Sequence, residues 1–276
     1  MLSDRFEIWD VLGPDEYHER VNNNAFTNQM VKMVFEAVLR YESYFKTDGD
    51  NYFEELSRKI SFDNDLEIIR KITKKLYIQV PNDQGIIEQF DGYFKLKDIS
   101  KEKLFKKKLH PREYLGGCGL AGDTQIIKQA DVIVMLYLFN DQYDKEIMKK
   151  NWDYYEPRTE HGSSLSASMY ALIACLISNP EYAYPLFMKS ATVDLTGESK
   201  EYAGDIYIGG THPAASGGAY LTAVYGFAGL TIANQKLEVH PNLPISIYSI
   251  EFKIKRNDKQ YKIYVSKDKQ EITEIE

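Results

Sequence analysis

Cysteine is almost missing from this sequence of 276 residues. Only Cys118 and Cys175 occur, without a CxxC pair, which excludes a disulfide framework and a cysteine-based zinc site. Long apolar runs are missing too, since none approaches the ~20 residues that span a bilayer, and residues 1–10 lack the pattern of a signal peptide. The five histidines show no HxxxH or HxH spacing. We therefore expect a cytoplasmic protein without a metal or cofactor.

An excess of positive charge is also missing. The net charge is −7, so the chain has no basic surplus with which to neutralise the phosphates of a nucleic acid. Residues 101–108 form a strongly basic run, but the run is short and lies between acidic residues. It is interpreted as a solvated loop or helix face. No nucleic acid and no membrane are expected as partners.

Helical spacing of apolar residues dominates the first 230 positions. The segment 123–139 is apolar on most sides, as expected for a helix buried within a larger assembly. Asn24 or Thr27 could cap the first helix, and the serines from Ser163 onward could cap a later one. The predicted helices cover residues 27–44, 65–76, 123–139, 163–178, 180–194 and 217–232.

The pattern changes to alternating apolar and polar residues near Asn234. Strands are predicted at 237–241, 247–256 and 260–266, with Asn257-Asp258 as a hairpin turn. The predicted fold class is therefore mainly α. A helical domain over residues 1–233, arranged as a barrel or bundle, is followed by a small antiparallel β domain over residues 234–276.

The densest polar cluster lies between residues 13 and 28, just before and within the start of the first predicted helix. It contains two adjacent carboxylates, a histidine and three consecutive asparagines. Such a loop at the mouth of a helical scaffold suits sugar binding or catalysis. The alternative is a polar surface loop, since Asn and Asp are common turn formers.

This cluster resembles the catalytic-acid segment of glycoside hydrolase family 65, and four further segments match that family in order. The five segments are Gly13-Pro-Asp-Glu-Tyr-His-Glu19 with Asn22-Asn-Asn-Ala-Phe-Thr-Asn28, Ile127-Lys-Gln-Ala-Asp-Val132, Tyr154-Tyr-Glu-Pro-Arg-Thr-Glu-His-Gly-Ser-Ser-Leu-Ser166, Gly210-Thr-His-Pro-Ala-Ala-Ser-Gly-Gly218 and Leu243-Pro244.

The resemblance implies a fold and a reaction. Members are mostly phosphorylases of α-linked glucosyl disaccharides, with a minority of hydrolases. Their (α/α)6 barrel is preceded by a large β-sandwich and followed by a small β domain. This chain then corresponds to the second half of the barrel plus the β domain. The sandwich, the first half of the barrel and the Trp-acid pair that holds the glucosyl unit have no counterpart in it.

The resemblance also implies residue roles. Glu16 matches the general acid, which needs a carboxyl group kept protonated by partial burial or a neighbouring carboxylate. We do not assign to Asp15 the role of keeping the carboxyl group of Glu16 protonated. The residues that match phosphate- or substrate-binding positions are Lys128, Gln129, His161, Ser163, His212, Ser216 and Gly217.

Alternatives to these roles stay open. Lys128 could merely extend out of an apolar helix, and Ser216-Gly217-Gly218 could serve close helix packing. Many relatives have an acidic residue where this chain has Gly162. Glu160 precedes His161 instead, so an inverting hydrolase with Glu160 as the base is the runner-up.

The expected reaction is phosphorolysis with inversion, giving β-glucose 1-phosphate, with inorganic phosphate as co-substrate and no cofactor. Partners are a disaccharide and phosphate, and either a homodimer or pairing with the missing N-terminal half. The alternative outside the enzymes is a non-catalytic carbohydrate-binding fragment. The motif variants around His161 and His212 favour the kojibiose and nigerose branch over the maltose branch.

Overall fold

The computed structural model describes residues 4–47, 52–60, 62–116, 119–196, 201–203, 206–233 and 236–275. Cys118 and Asn234 lie outside this range. The described part is mainly helical, with small antiparallel sheets near its C-terminal end. The helices are α1 Ala25–Thr47, α2 Tyr52–Ile60, α3 Phe62–Lys75, α4 Lys101–Phe105, α5 Val132–Leu138, α6 Lys145–Tyr155, α7 Ser166–Leu176, α8 Pro180–Ala191 and α9 Pro213–Leu221.

Helix α1 begins where the polar cluster ends, and Asn24 is its cap. The side-chain oxygen of Asn24 accepts hydrogen bonds from the backbone amide and the hydroxyl of Thr27, each at 2.9 Å. These bonds satisfy a donor that the first helical turn leaves unpaired. The cap fixes the point at which the chain leaves the polar loop and enters the scaffold.

The main hydrophobic core is formed around α7, most of whose side chains are buried. Helices α5, α6 and α8 pack against it. Tyr93, Tyr155 and Tyr170 are fully buried in this core, and each hydroxyl has a partner. Tyr93 donates to the carbonyl of Gln125 at 2.7 Å and Tyr155 to that of Ile87 at 2.6 Å. The paired hydroxyls therefore carry no desolvation penalty while the rings fill the core.

The predicted helix over 123–139 is wrong over its first half, because only α5 Val132–Leu138 is helical. Residues 123–131 form an irregular, mostly buried segment with isolated β-bridges to Lys97 and to Thr159. Ile126 and Ile127 are fully buried without helical geometry. A buried apolar run has no polar face, so its periodicity does not separate a helix from an extended segment.

Two further helix predictions need correction. Helix α7 begins at Ser166, and its cap position, Leu165, makes no side-chain capping bond, so the serines do not cap it as expected. The segment predicted as one helix over 217–232 divides into the end of α9, a π-helix over Thr222–Phe227 and a strand. The π-helix places Gly226 against Cys175, where a Cβ atom would meet the sulfur at 2.9 Å.

The C-terminal region forms a three-stranded antiparallel sheet in which β5 Ser249–Arg256, β6 Lys259–Ser266 and β7 Gln270–Ile275 lie side by side in that order. The predicted turn at Asn257-Asp258 is confirmed: both residues have positive φ values, 49° and 62°, as a type I′ hairpin requires. The other strands are β1 Glu201–Ala203, β2 Ile206–Ile208, β3 Leu230–Ala233 and β4 Lys236–Val239. Strands β1, β2, β3 and β7 lie outside the predicted strands, and β3 falls mostly within the segment predicted as the helix 217–232.

The β region packs on the end of the helical part. Val224 and Ala228 share a hydrophobic cluster with Leu230, Ile263 and Val265. The division of the chain at residues 233 and 234 stays a prediction. In the part of the chain that the structure describes, no helix is long and apolar enough to cross a membrane.

Candidate active site

The polar loop before α1 directs its two adjacent carboxylates in opposite directions. Asp15 is 1% exposed, whereas the side chain of Glu16 is 51% exposed. The ammonium group of Lys128 lies 2.5 Å from one carboxylate oxygen of Glu16, and the amide of Gln129 lies 3.4 Å from the other. Three residues that the sequence singled out are therefore brought together at one point.

The surroundings of Glu16 differ from the expected ones. We expected burial or a neighbouring carboxylate, but the side chain is half-exposed and its charged partner is the lysine. The reason is local geometry, because the backbone bends at residues 14 and 16 leave Asp15 buried and Glu16 half-exposed. Lys128 does not lie on a helix, so the alternative of a lysine extending from an apolar helix is wrong.

The carboxylate of Asp15 holds the segments that carry Glu16 and Lys128. One of its oxygens accepts the backbone amides of Lys128, at 2.9 Å, and Tyr17, at 3.2 Å. The other accepts from His18 Nδ1 at 2.6 Å and from Gln89 Nε2 at 3.1 Å. Since these amides adjoin Glu16 and belong to Lys128, Asp15 fixes the backbone on both sides of the acid–lysine contact.

Two more buried ionisable groups surround Asp15. His18 is desolvated, which lowers its pKa, but its hydrogen bond to Asp15 and the Asp15 charge outweigh this and raise its pKa. Its Nε2 donates to the carbonyl of Thr124 at 2.8 Å. Complete burial, followed by the charge of Asp15, raises the pKa of Asp131 to about 7. Asp131 accepts from the Asp15 amide at 3.2 Å and from the Asn24 side chain.

His161 is held in a strained conformation beside this loop. Its φ is 54°, in the left-handed region, and Lys189 donates to its carbonyl at 3.0 Å. Ser166 lies 2.9 Å from Nδ1, whereas the buried Nε2 has no partner at hydrogen-bond distance among the described residues and faces the carboxylate of Glu156 at 3.9 Å. Burial lowers the pKa of the ring. With the Ser166 proton given to Nδ1, Nε2 carries the ring proton and can donate it to a ligand.

Glu160, the alternative base, is largely enclosed. Its side chain is 6% exposed and accepts from Lys108 at 2.8 Å, from the amide of Leu115 at 3.2 Å and from the hydroxyl of Tyr17. Lys108 is 11% exposed, so the expectation of a wholly solvated basic run is wrong at this residue. The chain turns back after α4, ending at Phe105, and carries this lysine inward.

His212 occupies the cap position of α9 and is fixed by an acidic residue that the sequence did not single out. Asp194 accepts from the backbone amide of His212 at 2.7 Å and pairs with its Nδ1 at 2.6 Å. These hydrogen bonds lower the pKa of Asp194. Ser216 and Gly217 lie in the first turns of α9 and are exposed.

A pocket of about 630 Å³ joins several of these groups. Its lining residues include Lys128, His161, Ser163 and His212. The other residues singled out from the sequence, Gln129, Ser216 and Gly217, are not among them. Glu16 is not a lining residue either, but it contacts Lys128, which is. Tyr114 and Lys189 also line it and were not predicted. No sequence signal marks them, because Tyr114 lies in an irregular loop and Lys189 on an ordinary helix. In the described part of the chain, no three His, Cys, Asp or Glu side chains group as a metal site.

A helical scaffold that places a carboxyl group beside amide, ammonium and imidazole donors at a pocket is typical of a carbohydrate-active enzyme. Comparison with known proteins gives the family. The chain belongs to glycosyl hydrolase family 65, because the model of that family's central catalytic domain matches residues 2–221. The resemblance inferred from the motifs is thereby confirmed.

The relatives are disaccharide or glucoside phosphorylases by name. A nigerose phosphorylase of Lachnoclostridium phytofermentans is 48% identical over 98% of this chain and 36% of its own length. A kojibiose phosphorylase of Caldanaerobacter subterraneus is 36% identical over 99% of this chain and 35% of its own. A 1,2-alpha-glucosylglycerol phosphorylase of Bacillus selenitireducens is also 36% identical, over 98% of this chain and 35% of its own length. The chain thus spans little more than a third of these relatives.

A solved structure gives the same architecture. A chain described as "Putative kojibiose phosphorylase from human microbiome" matches with a TM-score of 0.80 and 27% identity, over 99% of this chain and 39% of that one. The predicted fold class is therefore confirmed as mainly α, the second half of an (α/α)6 barrel followed by a small antiparallel β domain.

Proposed function

We propose that this chain acts as the C-terminal part of an inverting phosphorylase of α-glucosyl disaccharides, which yields β-glucose 1-phosphate and a free sugar. The observation that carries the proposal is the contact of Glu16 with Lys128 at a pocket whose other walls hold His161 and His212. A proton donor and a group of anion-binding donors are what the reaction needs. By "intact enzyme" we mean this chain combined with the N-terminal portion that its relatives have.

In the proposed reaction, Glu16 gives its proton to the glycosidic oxygen as the bond from the anomeric carbon to that oxygen breaks. The bonding electron pair stays on the oxygen, so the second sugar leaves as an alcohol. An oxygen of inorganic phosphate attacks the anomeric carbon from the opposite face, which inverts its configuration. Inorganic phosphate is already an anion at neutral pH, so no base is needed to activate it.

The anion side of the pocket has donors of suitable chemistry. Lys128 supplies a compact positive charge. The Nε2 atom of His161 is buried, and the Glu156 carboxylate that faces it at 3.9 Å lies beyond hydrogen-bond distance, so an oxygen of a ligand can accept from it. His212, fixed by Asp194, and Ser163 complete the wall.

The surroundings of Glu160 favour phosphorolysis over hydrolysis. A general base must lie within hydrogen-bond reach of a water molecule and accept its proton. The oxygens of Glu160 already accept from Tyr17, Lys108 and Leu115, so both are engaged within the protein. In this arrangement the carboxylate fastens the loop around residues 108–115 to the acid segment.

Product analysis on the intact enzyme tests the reaction. With a glucose disaccharide, phosphate should be required, and β-glucose 1-phosphate should form in amounts equal to the released sugar. Sugar release that is indifferent to phosphate would overturn the proposal in favour of hydrolysis. Binding of the disaccharide without any turnover would favour a non-catalytic carbohydrate-binding protein, and the DNA upstream would then lack a frame for the N-terminal portion.

The second sugar is a finer part of the proposal. The motif variants and the names of the most similar relatives reported above favour a kojibiose- or nigerose-type linkage. A panel of glucose disaccharides that differ only in linkage, offered to the intact enzyme with phosphate, tests this. A marked preference for maltose would refute it.

A further inference from the structure

Tyr114 and Gly162 form a matched pair in the wall of the pocket, although 48 positions separate them in the sequence. A Cβ atom built on Gly162 would lie 2.7 Å from Cδ1 and 2.9 Å from Cε1 of the Tyr114 ring. Side-chain carbons do not approach so closely. The ring of Tyr114 therefore occupies this position only because residue 162 has no side chain.

The ring lies beside the acid–lysine contact. The ammonium group of Lys128 is 5.2 Å from the centre of the Tyr114 ring, within the range of a cation–π interaction. The amide of Gly162 also donates to the carbonyl of Lys128 at 3.1 Å. Tyr114, Gly162 and Lys128 all line the same pocket. The aromatic ring is thus a fixed neighbour of the lysine that contacts Glu16.

The loop that carries the ring is anchored. Glu160 accepts from the amide of Leu115, the residue next to Tyr114, and from the side chain of Lys108 in the same loop. Leu115 itself is fully buried. The position of Tyr114 is therefore set by the protein before any ligand arrives, which reduces the ordering cost of binding.

An aromatic ring at this place suits a sugar rather than the anion. The face of the ring carries negative electrostatic potential, which attracts Lys128 and the polarised C–H groups of a sugar but repels phosphate. Glu16 must protonate the oxygen that joins the two sugars. Lys128 contacts Glu16 as well as the ring, so Tyr114 lies one side-chain contact away from the group that must protonate the departing sugar.

We propose that Tyr114, admitted by the bare backbone of Gly162, is a specificity-determining residue that contacts the departing sugar. The proposal rests on the proposed function above and deepens it. It assigns recognition of the second sugar to a residue of the 106–116 loop, and it makes this recognition depend on residue 162.

The test is a double-mutant cycle in the intact enzyme, with Tyr114→Ala, Gly162→Ala and their combination. The KM for the acceptor sugar is measured in the synthetic direction with β-glucose 1-phosphate, and the KM for phosphate in the phosphorolytic direction. Tyr114→Ala should raise the acceptor KM by about tenfold, the equivalent of one good ring contact, and leave the phosphate KM within about twofold. Gly162→Ala should raise the acceptor KM similarly in the parent, because its methyl group displaces the ring.

The double variant shows whether the two substitutions act on the same contact or independently of each other. In the Tyr114→Ala background, Gly162→Ala should add less than about twofold. Effects that multiply, an unchanged acceptor KM, or an equal rise of the phosphate KM would each overturn the proposal. Tyr248→Ala, which removes a 75% exposed tyrosine outside the pocket, is the matched control and should change neither constant.

A conservative variant separates loss of the ring from loss of its hydroxyl group, and it also serves if Tyr114→Ala does not fold. Tyr114→Phe retains the ring and should keep the acceptor KM within about threefold. If Tyr114→Ala does not fold, the comparison of Gly162→Ala with Tyr114→Phe decides, because a normal acceptor KM in Gly162→Ala refutes the pairing. If the parent enzyme proves to be a hydrolase, the same cycle is read from the KM for the disaccharide.

Discussion

Adjacent carboxylates at positions 15 and 16 should respond in opposite ways to the same isosteric change. Asp15→Asn alters a buried group that accepts four hydrogen bonds, whereas Glu16→Gln alters a half-exposed group at the pocket. We expect the first substitution to reduce the free energy of unfolding severely and the second to leave it nearly unchanged. The pair thus separates a residue that holds the loop from one that serves the reaction.

The magnitude follows from the partners of Asp15. An asparagine keeps one acceptor oxygen, which can still serve the amides of Tyr17 and Lys128. Its NH2 group then faces the donor Gln89 Nε2, so that bond is lost, and it can donate to His18 Nδ1 only when His18 has given up a ring proton, so the ion pair with His18 is lost as well. Hydrogen bonds to charged groups contribute about 1.5–3 kcal/mol each, and removal of one partner of a buried ion pair costs about 3–5 kcal/mol. We therefore expect a loss of about 3–5 kcal/mol.

This loss is a large part of the 5–15 kcal/mol that typically separates folded and unfolded states. Glu16→Gln breaks a contact whose carboxylate is half-exposed, so after screening by water its cost should stay below about 1 kcal/mol. The measurement is urea unfolding of the parent chain and both variants at pH 7, followed by circular dichroism. Asp10→Asn, a change in an exposed ion pair, serves as a second control. A cost of less than about 1 kcal/mol for Asp15→Asn would refute the reasoning.

Three other changes have distinct outcomes. Glu16→Gln in the intact enzyme should lower the rate on disaccharides by roughly 10²–10⁴-fold and spare glucosyl fluoride, whose leaving group needs no proton; equal losses would mean that Glu16 only positions the sugar. Asp194→Asn should raise the KM for phosphate severalfold, because it weakens the bonds that fix His212; a change confined to the sugar KM would contradict this. The folded pKa of Asp131 is raised from its usual 3.8 to about 7, so the native state holds a proton that the unfolded chain releases, and stability from this residue falls as pH rises from about 4 through 7. Asp131→Asn should therefore flatten the fall in unfolding free energy over this pH range, and an unchanged pH profile would show that Asp131 does not titrate there.

Amphipathic helices and the hairpin could be predicted because their signals are local. Helix α1 was predicted at residues 27–44 and runs over Ala25–Thr47, with one of the two proposed caps in place. The Asn257-Asp258 turn follows from the ability of these residues to adopt positive φ values. In both cases the determining residues lie within a few positions of one another.

The non-helical course of residues 123–131 could not be predicted, because its cause lies more than a hundred residues away. The carboxylate of Asp15 accepts the amide of Lys128, and this bond replaces one that a helix would make. The contact between Asp194 and His212 could not be predicted either, because the strands β1 and β2 lie between the two residues in the sequence. Motif matching named part of the pocket lining, but it missed Tyr114 and Lys189 and the acidic residue Asp194 that holds His212 in place.

The contact between Cys175 and the π-helix makes this thiol a reporter of core opening. Burial raises the pKa of Cys175 to about 12, so only about one thiol in 10⁴ is ionised at pH 8, and its sulfur also lies against Gly226. Alkylating reagents, which attack the thiolate, can therefore reach it only after α7 separates from the Thr222–Phe227 turn. In a variant that lacks Cys118, the rate of labelling would measure how often the centre of the helical scaffold opens, without any added probe.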